Sequence, residues 1–417
     1  MRLGVFYTVA RNPWGGTYTI KHDIFRGLAA VAHESGHELV VFTDDESART
    51  RFPTHGVSWV KVPALRARAL LAFARARINR VFAHGLLVPP PFAAESFLDP
   101  FLFGAGVDLF INLGPDALSM AVPYVCAVFD LQHRNQPFMP EVNTRGYWER
   151  WDEQYREYLG RATFVVNGTA AGQREVERFY QVPRERLIKS PLPTPAFAMA
   201  AAKEPKQPRP AYVGQGPFVF YPAQFWPHKN HVSLLEAVAL VRQQRGLDLH
   251  AVFVGSDQGN QAFVEERIAA MGLSGVAHVR GFVDRPELIA LYQHAVAMPC
   301  VSTCGPESLP TLEAFALGCP VITSDTPGTR EQFEGAALFV SVVDPDDIAG
   351  AIATVHQDAA RREAVTAAGR AIAAERTAER FARGIFEAVK PFAQKRKNWS
   401  AREPYTRPLR IGRVFGG

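Results

Sequence analysis

The stretch from Pro299 to Asp325 reads PCVSTCGPESLPTLEAFALGCPVITSD, and it predicts a complete strand–loop–helix–strand unit. An apolar run of strand length, Ala295 to Pro299, leads into a loop rich in Ser, Thr, Gly and Pro, and PVITS after the helical segment is a second short strand. Pro310 suits the first turn of the helix, where its missing N–H costs nothing, and Gly318 suits the helix end. The unit therefore puts a loop and a helix N-terminus at the carboxyl edge of a parallel strand.

The start of this helix has the chemistry of an anion site. Free backbone N–H groups at Leu309 to Leu312 would point into the crevice, where the partial positive charge of a helix N-terminus suits a phosphate. Glu313 follows one turn into the helix, within reach of hydroxyl groups on the molecule that carries the phosphate. The unit thus predicts a site for a phosphorylated ligand that also bears hydroxyl groups.

Composition and cysteine usage indicate an ordinary globular protein without a metal site. The chain has 417 residues, 47% of them hydrophobic and 21% charged, which predicts two or three domains with sizeable cores. Four cysteines are too few and too scattered for a disulfide framework, and no histidine stands at zinc-finger spacing from them. No apolar run approaches the roughly 18–20 residues that span a bilayer, and the N-terminus lacks the layout of a signal peptide. We therefore expect a cytoplasmic protein with inert thiols.

The net charge of +5 comes with a pI near 9.0, and the excess is local. Arginines cluster in RARALLAFARARINR, from Arg66 to Arg80, and basic residues recur in the tail from Lys395 to Arg413. One interpretation is evenly solvated basic surfaces; the other is contact of the first segment with an anionic membrane face or a polyanionic substrate. Peripheral contact with the inner face of a membrane is the sharper hypothesis, and we expect no nucleic-acid partner.

The chain carries two successive patterns of alternating strands and helices. The first starts at LGVFYTV, with Gly15 and Gly16 after its first strand, and the second starts afresh at FVFYPAQ. KEPKQPRPAYVGQGP, between them, has no apolar periodicity and is dense in Pro, Gly and charge. We predict an α/β fold with two Rossmann-like domains that face each other across a cleft. The predicted boundaries are residues 1–202 for the first domain, 203–217 for the linker, 218–394 for the second domain and 395–417 for a basic tail.

Several common catalytic motifs are missing from both halves. Neither half has GxGxxG after its first strand, and the chain lacks a Walker A sequence and a Gly-x-Ser-x-Gly elbow. These absences argue against a dinucleotide dehydrogenase, a P-loop ATPase and the simplest hydrolase.

Four stretches of the second half carry a family resemblance: YPAQFWPHKNHVSLLEA, FVGS, HVRGFVDRPELIALYQHA and GPESLPTLEAFALGCPVITSDTPGTREQ. In order and spacing they resemble the signatures of the retaining GT-B glycosyltransferases of family GT4, also called glycosyltransferase group 1. Their form is similar to that of bacterial mannosyltransferases of surface-polysaccharide pathways. The first half resembles the family more loosely, through the glycine pair and FDLQHRNQP. The resemblance implies a GT-B fold and transfer of a sugar from a nucleotide-diphosphate donor, with retention of configuration and without a bound metal or cofactor.

The resemblance also implies roles for particular residues. Lys229 and backbone N–H groups near Pro310 and Thr311 would neutralise the departing diphosphate. Glu313 resembles the glutamate that binds the ribose. The residues predicted to be catalytic are His133, Lys229, Glu307 and Glu313. The residues predicted to bind the donor are Gly15, Gly16, Asp130, Gln224, His228, Phe282, Val283, Gly305, Ser308, Leu309, Pro310 and Thr311; of these, the backbone of Phe282 and Val283 would border the base.

The motif that best identifies the family also departs from it. Gly305 stands where the family has a first glutamate, eight positions before the ribose-binding one. Either Glu307 or the backbone of Ser308 and Leu309 would then hold the hydroxyl groups of the donor sugar.

Two further departures lie elsewhere. Gln224 stands in place of an arginine five positions before the lysine, which removes a positive charge that His228, His231 or Arg285 would have to replace. Phe129 takes the place of the histidine in the family's HDL stretch. His133 is then the imidazole predicted to reach the donor sugar.

We therefore predict a retaining transferase that moves a hexose to a glycan or a lipid-linked saccharide, with GDP-mannose as the first donor to consider. Front-face attack, with the leaving phosphate taking the acceptor proton, suits residues among which no nucleophile is evident. Two alternatives stay open. One is a relative that cleaves or isomerises a sugar nucleotide without a separate acceptor, and the other is a sugar-nucleotide-binding subunit that has lost catalysis.

Overall fold

A computed structural model of the chain describes residues 1–8, 16–51, 56–63, 96–114, 118–144, 146–305 and 307–402. Three of the predicted features lie outside these ranges: the arginine-rich segment Arg66–Arg80, Gly15, and the basic tail beyond Arg402. Within the described ranges, no helix combines the length and the apolar character that crossing a bilayer requires.

The first half contains a parallel sheet of seven described strands in the order β3-β2-β1-β4-β5-β6-β7. The strands are β1 Arg2–Phe6, β2 Glu38–Thr43, β3 Val57–Lys61, β4 Leu109–Asn112, β5 Tyr124–Ala127, β6 Phe164–Asn167 and β7 Leu187–Lys189. The helices are α1 Gly16–Ala32, α2 Ser47–Arg51, α3 Asp99–Gly104, α4 Gln132–Asn135, α5 Pro140–Asn143, α6 Tyr147–Arg161, α7 Ala170–Tyr180 and α8 Ala196–Ala201. Strand order reverses between β1 and β4, which is where open α/β sheets bind ligands at their carboxyl edge.

The second half contains two three-stranded parallel groups, β10-β9-β8 and β11-β12-β13. A bridge between Val219 and Ala297 joins them, with the Phe220 N–H donating to the Ala297 carbonyl at 3.1 Å. The strands are β8 Phe218–Pro222, β9 His250–Val254, β10 Ala277–Val279, β11 Met298–Cys300, β12 Val321–Ser324 and β13 Ala337–Val340. The helices are α9 His231–Arg245, α10 Gln261–Ala270, α11 Arg285–His294, α12 Leu309–Leu317, α13 Pro327–Phe333, α14 Pro345–Gln357, α15 Ala359–Glu375 and α16 Ala378–Arg396.

The unit predicted around Pro299–Asp325 is confirmed as β11, α12 and β12. Pro310 lies in the first turn of α12, and Gly318 ends the helix in the left-handed conformation at a φ of 74°. Two short or half-exposed strands, β3 and β7, are absent from the sequence prediction. Both lie at the edges of the first sheet, where a strand needs no continuous apolar run.

The last helix, α16, packs on the first half, although the sequence analysis assigned residues up to 394 to the second domain. It runs along α1, where Arg383 pairs with Glu34 at 2.6 Å and the rings of Phe386 and His37 meet edge to face at 5.2 Å. Gly27 of α1 permits this approach, because a Cβ there would collide with the carbonyl of Ala378. The last helix thus ties the C-terminal end of the second half to the first half.

Replacing Gly27 with alanine tests this contact. Although alanine favours a helix more than glycine does, we expect Gly27→Ala to lower the free energy of unfolding by about 1–3 kcal/mol, since α16 must shift to make room. The matched control is Gly160→Ala in α6, where an added Cβ meets no atom within 4 Å. Thermal melts followed by circular dichroism should show a loss for the first variant only; equal melting temperatures would contradict the packing.

Candidate active site

The N-terminus of α12 is more fully capped than the sequence predicts. Ser308 is the N-cap residue, and its Oγ accepts from the Thr311 N–H at 3.4 Å while its carbonyl accepts from the Leu312 N–H at 3.4 Å. Pro310 has no N–H to offer. The expected row of free donors from Leu309 to Leu312 is therefore corrected: within the described part of the chain, the amides of Ser308 and Leu309 are those that stay available to an anion.

Gly305 lies in the loop before this helix and adopts a left-handed conformation with a φ of 92°. It is exposed, and a Cβ at this position would meet nothing closer than the Glu307 carbonyl at 4.0 Å. Space is available for a side chain, but the backbone strains any residue other than glycine. A glycine at this position, where the resemblance would place a glutamate, therefore suits the left-handed backbone of the loop.

Glu313 lies on the buried side of α12, 8% exposed, where the Tyr292 hydroxyl donates to its Oε2 at 2.8 Å. Burial raises the pKa of this carboxyl to about 7, against the opposing effects of the Tyr292 hydrogen bond and the Arg285 charge. Tyr292 belongs to α11, so the orientation of Glu313 is set by a residue that motif comparison alone did not single out.

Lys229 is the last residue of a 3-10 turn, Pro227–Lys229. Hydrogen bonds from neighbouring residues hold this turn in place. Asn230 follows in a left-handed conformation, and its Nδ2 donates to the Val342 carbonyl at 2.6 Å. The Tyr221 hydroxyl donates to the Lys229 carbonyl at 2.9 Å. The Lys229 Nζ has no ion-pair partner among the described residues, so the ammonium is free to bind an anionic ligand.

Lys229 and the loop before α12 are electrostatic neighbours. Burial, with smaller effects of Asp130 and Glu141, raises the pKa of the Cys304 thiol to about 12, while Lys229 acts to lower it. Asp130 also influences the pKa of His228 and of Glu307 in the second half, and of His133 in the first. This exposed carboxylate at the end of β5 therefore lies where the two halves meet.

Five residues form a closed ring of hydrogen bonds across the cleft, which we call the interdomain ring: Gln132, Glu141, His228, Thr303 and Gln136. Glu141 accepts at Oε1 from His228 Nδ1 at 2.6 Å and from Gln132 Nε2 at 3.0 Å. The Thr303 N–H donates to the His228 carbonyl at 2.9 Å, and Gln136 Nε2 donates to the Thr303 carbonyl at 2.8 Å. The Gln136 N–H donates to the Gln132 carbonyl at 2.7 Å and closes the ring. The turn that carries Lys229 is thereby linked to the first half.

His133 does not occupy the position that the sequence analysis gave it. Its side chain is buried in the first half, its Nε2 lies 2.7 Å from the Tyr180 hydroxyl, and its ring stacks on Tyr155. Burial lowers the pKa of this imidazole, against the charges of Asp152 and Asp130. The imidazole at the cleft is instead His228, because α4 turns His133 inward toward α6 and α7.

Glu307 reaches across to the first half. Its Oε1 accepts from the Leu192 N–H at 3.3 Å, and it lies so close to Gly168 that any side chain there would collide with it. Its Oε2 is buried without a partner among the described residues. Although the residue as a whole is only half-buried, its carboxyl is buried, and this raises its pKa to about 8.

This placement of Glu307 predicts a pH-dependent stability. A carboxyl whose pKa is raised on folding stabilises the native state fully only below its ordinary pKa of 4.5, and that contribution is lost progressively as the pH rises from there through about 8. Glu307→Gln should therefore raise the melting temperature by about 2–4 °C at pH 8.5 and change it little at about pH 4.5. The comparison variant is Glu363→Gln, at an exposed position of α15. Parallel pH profiles for the wild type and Glu307→Gln would contradict a buried carboxyl.

The remaining predicted residues lie where strands end or a helix begins. Gln224 donates through Nε2 to Ser256 Oγ at 2.9 Å, and Phe282, after the left-handed Gly281, is 59% exposed. Val283 packs on the core, and Gly16 begins α1.

Of the residues considered as replacements for the missing arginine, His231 is buried with a pKa lowered to about 3. Its ring stacks on Phe225 at 4.6 Å. Arg285 lies over the Phe197 ring at 4.3 Å and influences the pKa of Glu313. Only His228 adjoins Lys229.

Four residues of the site were missed by the sequence analysis: Tyr292, Asn230, Gln136 and Glu141. Asn230 directly follows the lysine in HKNH, so a left-handed turn residue next to a predicted ligand could have drawn attention to it. Glu141 and Gln136 meet the second half only through the fold, and no local pattern marks them.

Comparison with known proteins finds chains of similar sequence and similar fold. Residues 203–372 match the family described as Glycosyl transferases group 1. The O-antigen chain mannosyltransferase B of Escherichia coli is 23% identical over 238 residues, which cover 55% of this chain and 61% of that relative. Among solved structures, sucrose-phosphate synthase from Thermosynechococcus elongatus has a TM-score of 0.63 at 18% identity, covering 94% of this chain and 99% of its own. Anabaena HepE in complex with UDP has a TM-score of 0.60 at 16% identity, covering 94% and 100%.

The fold is therefore GT-B, with a parallel-sheet α/β architecture across the chain, and the prediction of the fold class is confirmed. The match to the family described as Glycosyl transferases group 1 is confined to residues 203–372.

Proposed function

We propose that the protein is a glycosyltransferase that takes a hexose from a nucleotide-diphosphate sugar bound between Lys229 and the N-terminus of α12. The observation that carries this proposal is the pairing of a lysine with no ion-pair partner among the described residues with a capped helix start and a buried carboxyl, Glu313. Phosphate, ribose and sugar would lie in that order from Lys229 along α12 and the loop before it. The family match over residues 203–372 supports the class of donor.

The residues suggest how the bond to the leaving diphosphate is weakened. Negative charge develops on the diphosphate as the glycosidic bond breaks, and the Lys229 ammonium with the amides of Ser308 and Leu309 stabilises it. Glu313 accepts hydrogen bonds from the ribose and fixes the nucleotide. In this proposal these donors stabilise the charge without a metal ion. Among the described residues, no three His, Cys, Asp or Glu side chains cluster as a metal site needs.

Retention of configuration follows in this proposal because the acceptor hydroxyl and the departing diphosphate use the same face of the sugar. The acceptor hydroxyl attacks on the face that the diphosphate leaves, and the leaving phosphate takes its proton. Glu307, or whichever of the Ser308 and Leu309 amides the diphosphate does not use, holds the sugar hydroxyls.

Mannose is the first sugar to test, because the E. coli relative is named as a mannosyltransferase. UDP-sugars belong in the same panel, because HepE was solved with UDP. The acceptor would be a glycan or a lipid-linked saccharide bound by the first half. Contact with a membrane face through Arg66–Arg80 stays a proposal on the basis of sequence.

The test is turnover of GDP-mannose and a set of UDP- and GDP-sugars with lipid-linked and free saccharide acceptors, with and without a chelator. We expect one donor to be consumed only when acceptor is present, with an axial anomeric linkage retained in the product by proton NMR. Consumption without acceptor would favour a sugar-nucleotide hydrolase or isomerase. Binding without turnover across the panel would favour a non-catalytic subunit.

A further inference from the structure

The diphosphate site lacks one positive charge at Gln224, and the interdomain ring places an imidazole beside it. Gln224 is neutral, and its amide is already engaged by Ser256 Oγ and by Trp226 Nε1 at 3.2 Å. His228 directly precedes Lys229 in the same turn. Its imidazole can offer a second cationic donor.

Glu141 fixes which nitrogen of His228 faces a ligand. The Glu141 carboxylate accepts from both the backbone N–H of His228, at 3.3 Å, and its Nδ1, at 2.6 Å. The proton on Nδ1 is therefore held by the carboxylate, and Nε2 has no partner among the described residues. The side chains are 12% and 7% exposed, so the pair is shielded from screening by salt.

Glu141 is itself built to stay ionised. Burial alone would raise its pKa, but hydrogen bonds from its own backbone N–H, from His228 and from Gln132 bring the pKa below its ordinary value. Its Oε2 is buried without a partner among the described residues. A negative charge locked beside Nδ1 stabilises an imidazolium.

On the basis of the proposed function, we propose that His228, held by Glu141 from the opposite domain, supplies the positive charge that Gln224 lacks, and that Glu141 is its positioning residue. As the diphosphate enters, a proton from solvent binds His228 Nε2, and the Nδ1 proton stays on the hydrogen bond to Glu141. Closure of the two domains and assembly of the anion site are then one event, because Glu141 belongs to the first half and His228 to the second.

The charges around His228 explain why the proton arrives with the ligand. Burial lowers the pKa of His228, Lys229 on its own turn lowers it further, and Glu141 of α5 and Asp130 after β5 raise it. His231 of α9 interacts electrostatically with His228 and Lys229, and its lowered pKa keeps it neutral. The Cys304 thiol of the facing loop is also neutral at physiological pH. Without ligand the imidazole is therefore neutral at pH 7.5, and an anion brings it into the charged form.

The test is calorimetric titration of the full chain with UDP and GDP at pH 7.5, in buffers of different ionisation enthalpy, to count the protons taken up on binding. Protons from the nucleotide phosphate and from Glu313 cancel when variants are compared. We expect the wild type to take up close to one proton more than His228→Asn. Glu141→Gln preserves the shape of the side chain and the hydrogen bond but removes the charge. The proton uptake of this variant should fall by at least half, and its nucleotide affinity should fall by about 10-fold, which corresponds to one pKa unit.

Rescue separates this role from a structural one. Adding Gln224→Arg to His228→Asn should restore nucleotide affinity with no ligand-linked proton at this site, since the guanidinium stays charged. Equal proton counts in the wild type, Glu141→Gln and His228→Asn would overturn the inference and leave the proposed function standing. A wild type that binds neither nucleotide would overturn both.

Discussion

Alanine in place of Lys229 is expected to lower kcat by about 10²–10³-fold, the usual loss when one preorganised donor to a developing negative charge is removed. The effect is on kcat because the charge of the diphosphate grows as the glycosidic bond breaks. Stability should be nearly unchanged, because Nζ has no ion-pair partner among the described residues and the turn is held through the Lys229 carbonyl by Tyr221. Initial rates with a saturating donor, together with a thermal melt, measure both.

Lys390→Ala is the control for this experiment, since Lys390 is an exposed residue of α16 that pairs with Glu387. A surface pair of this kind contributes about 0–1 kcal/mol, and its loss should leave turnover unchanged. Full activity of Lys229→Ala beside an unaltered control would remove Lys229 from the site.

Glutamine in place of Glu313 is expected to weaken binding of a nucleoside diphosphate by about 10–100-fold, because hydrogen bonds to a charged group contribute about 1.5–3 kcal/mol. The side chain keeps its shape beside Tyr292, so the fold should be retained. Tyr292→Phe should have a smaller effect in the same direction, since it frees the carboxyl without removing it.

The Glu313 contribution should also depend on pH. Because the pKa of Glu313 is about 7, the ionised fraction of its carboxyl increases as the pH rises from 6 to 8. The affinity of the wild type for the nucleotide should increase with it. The contribution of the His228 imidazole to affinity decreases as the pH rises. Comparing the pH profiles of the His228 and Glu313 variants separates the two contributions. An unchanged affinity of Glu313→Gln at pH 8 would contradict a ribose contact.

The sequence predicts the order of elements well because the two Rossmann-like halves repeat a strong local signal, with apolar strands followed by polar loops and capped helices. The unit of β11, α12 and β12 is the clearest case, since Pro310 and Gly318 fix its ends chemically. What sequence cannot supply is the packing of α16 on α1, which depends on the close approach at Gly27, far away along the chain.

In the candidate site, too, some residues follow from local sequence and others only from tertiary packing. Lys229 and Glu313 follow from short motifs, and the structure sets each beside a loop or a tyrosine that orients it. His133 was selected because it follows a strand end, but a turn of α4 directs it into the first half. Glu141 reaches the site only through domain contact, 87 residues from His228, and no local pattern reveals a hydrogen bond between such positions.

The central claim is that the cleft beside Lys229 and α12 binds a nucleotide-diphosphate sugar. Crystals of the full chain grown with UDP or GDP test it most directly. We predict diphosphate oxygens within about 3 Å of Lys229 Nζ and of the Ser308 or Leu309 amide, with a ribose hydroxyl at the same distance from the Glu313 carboxylate. A nucleotide bound elsewhere in the molecule, with this cleft empty at saturating concentration, would contradict the account.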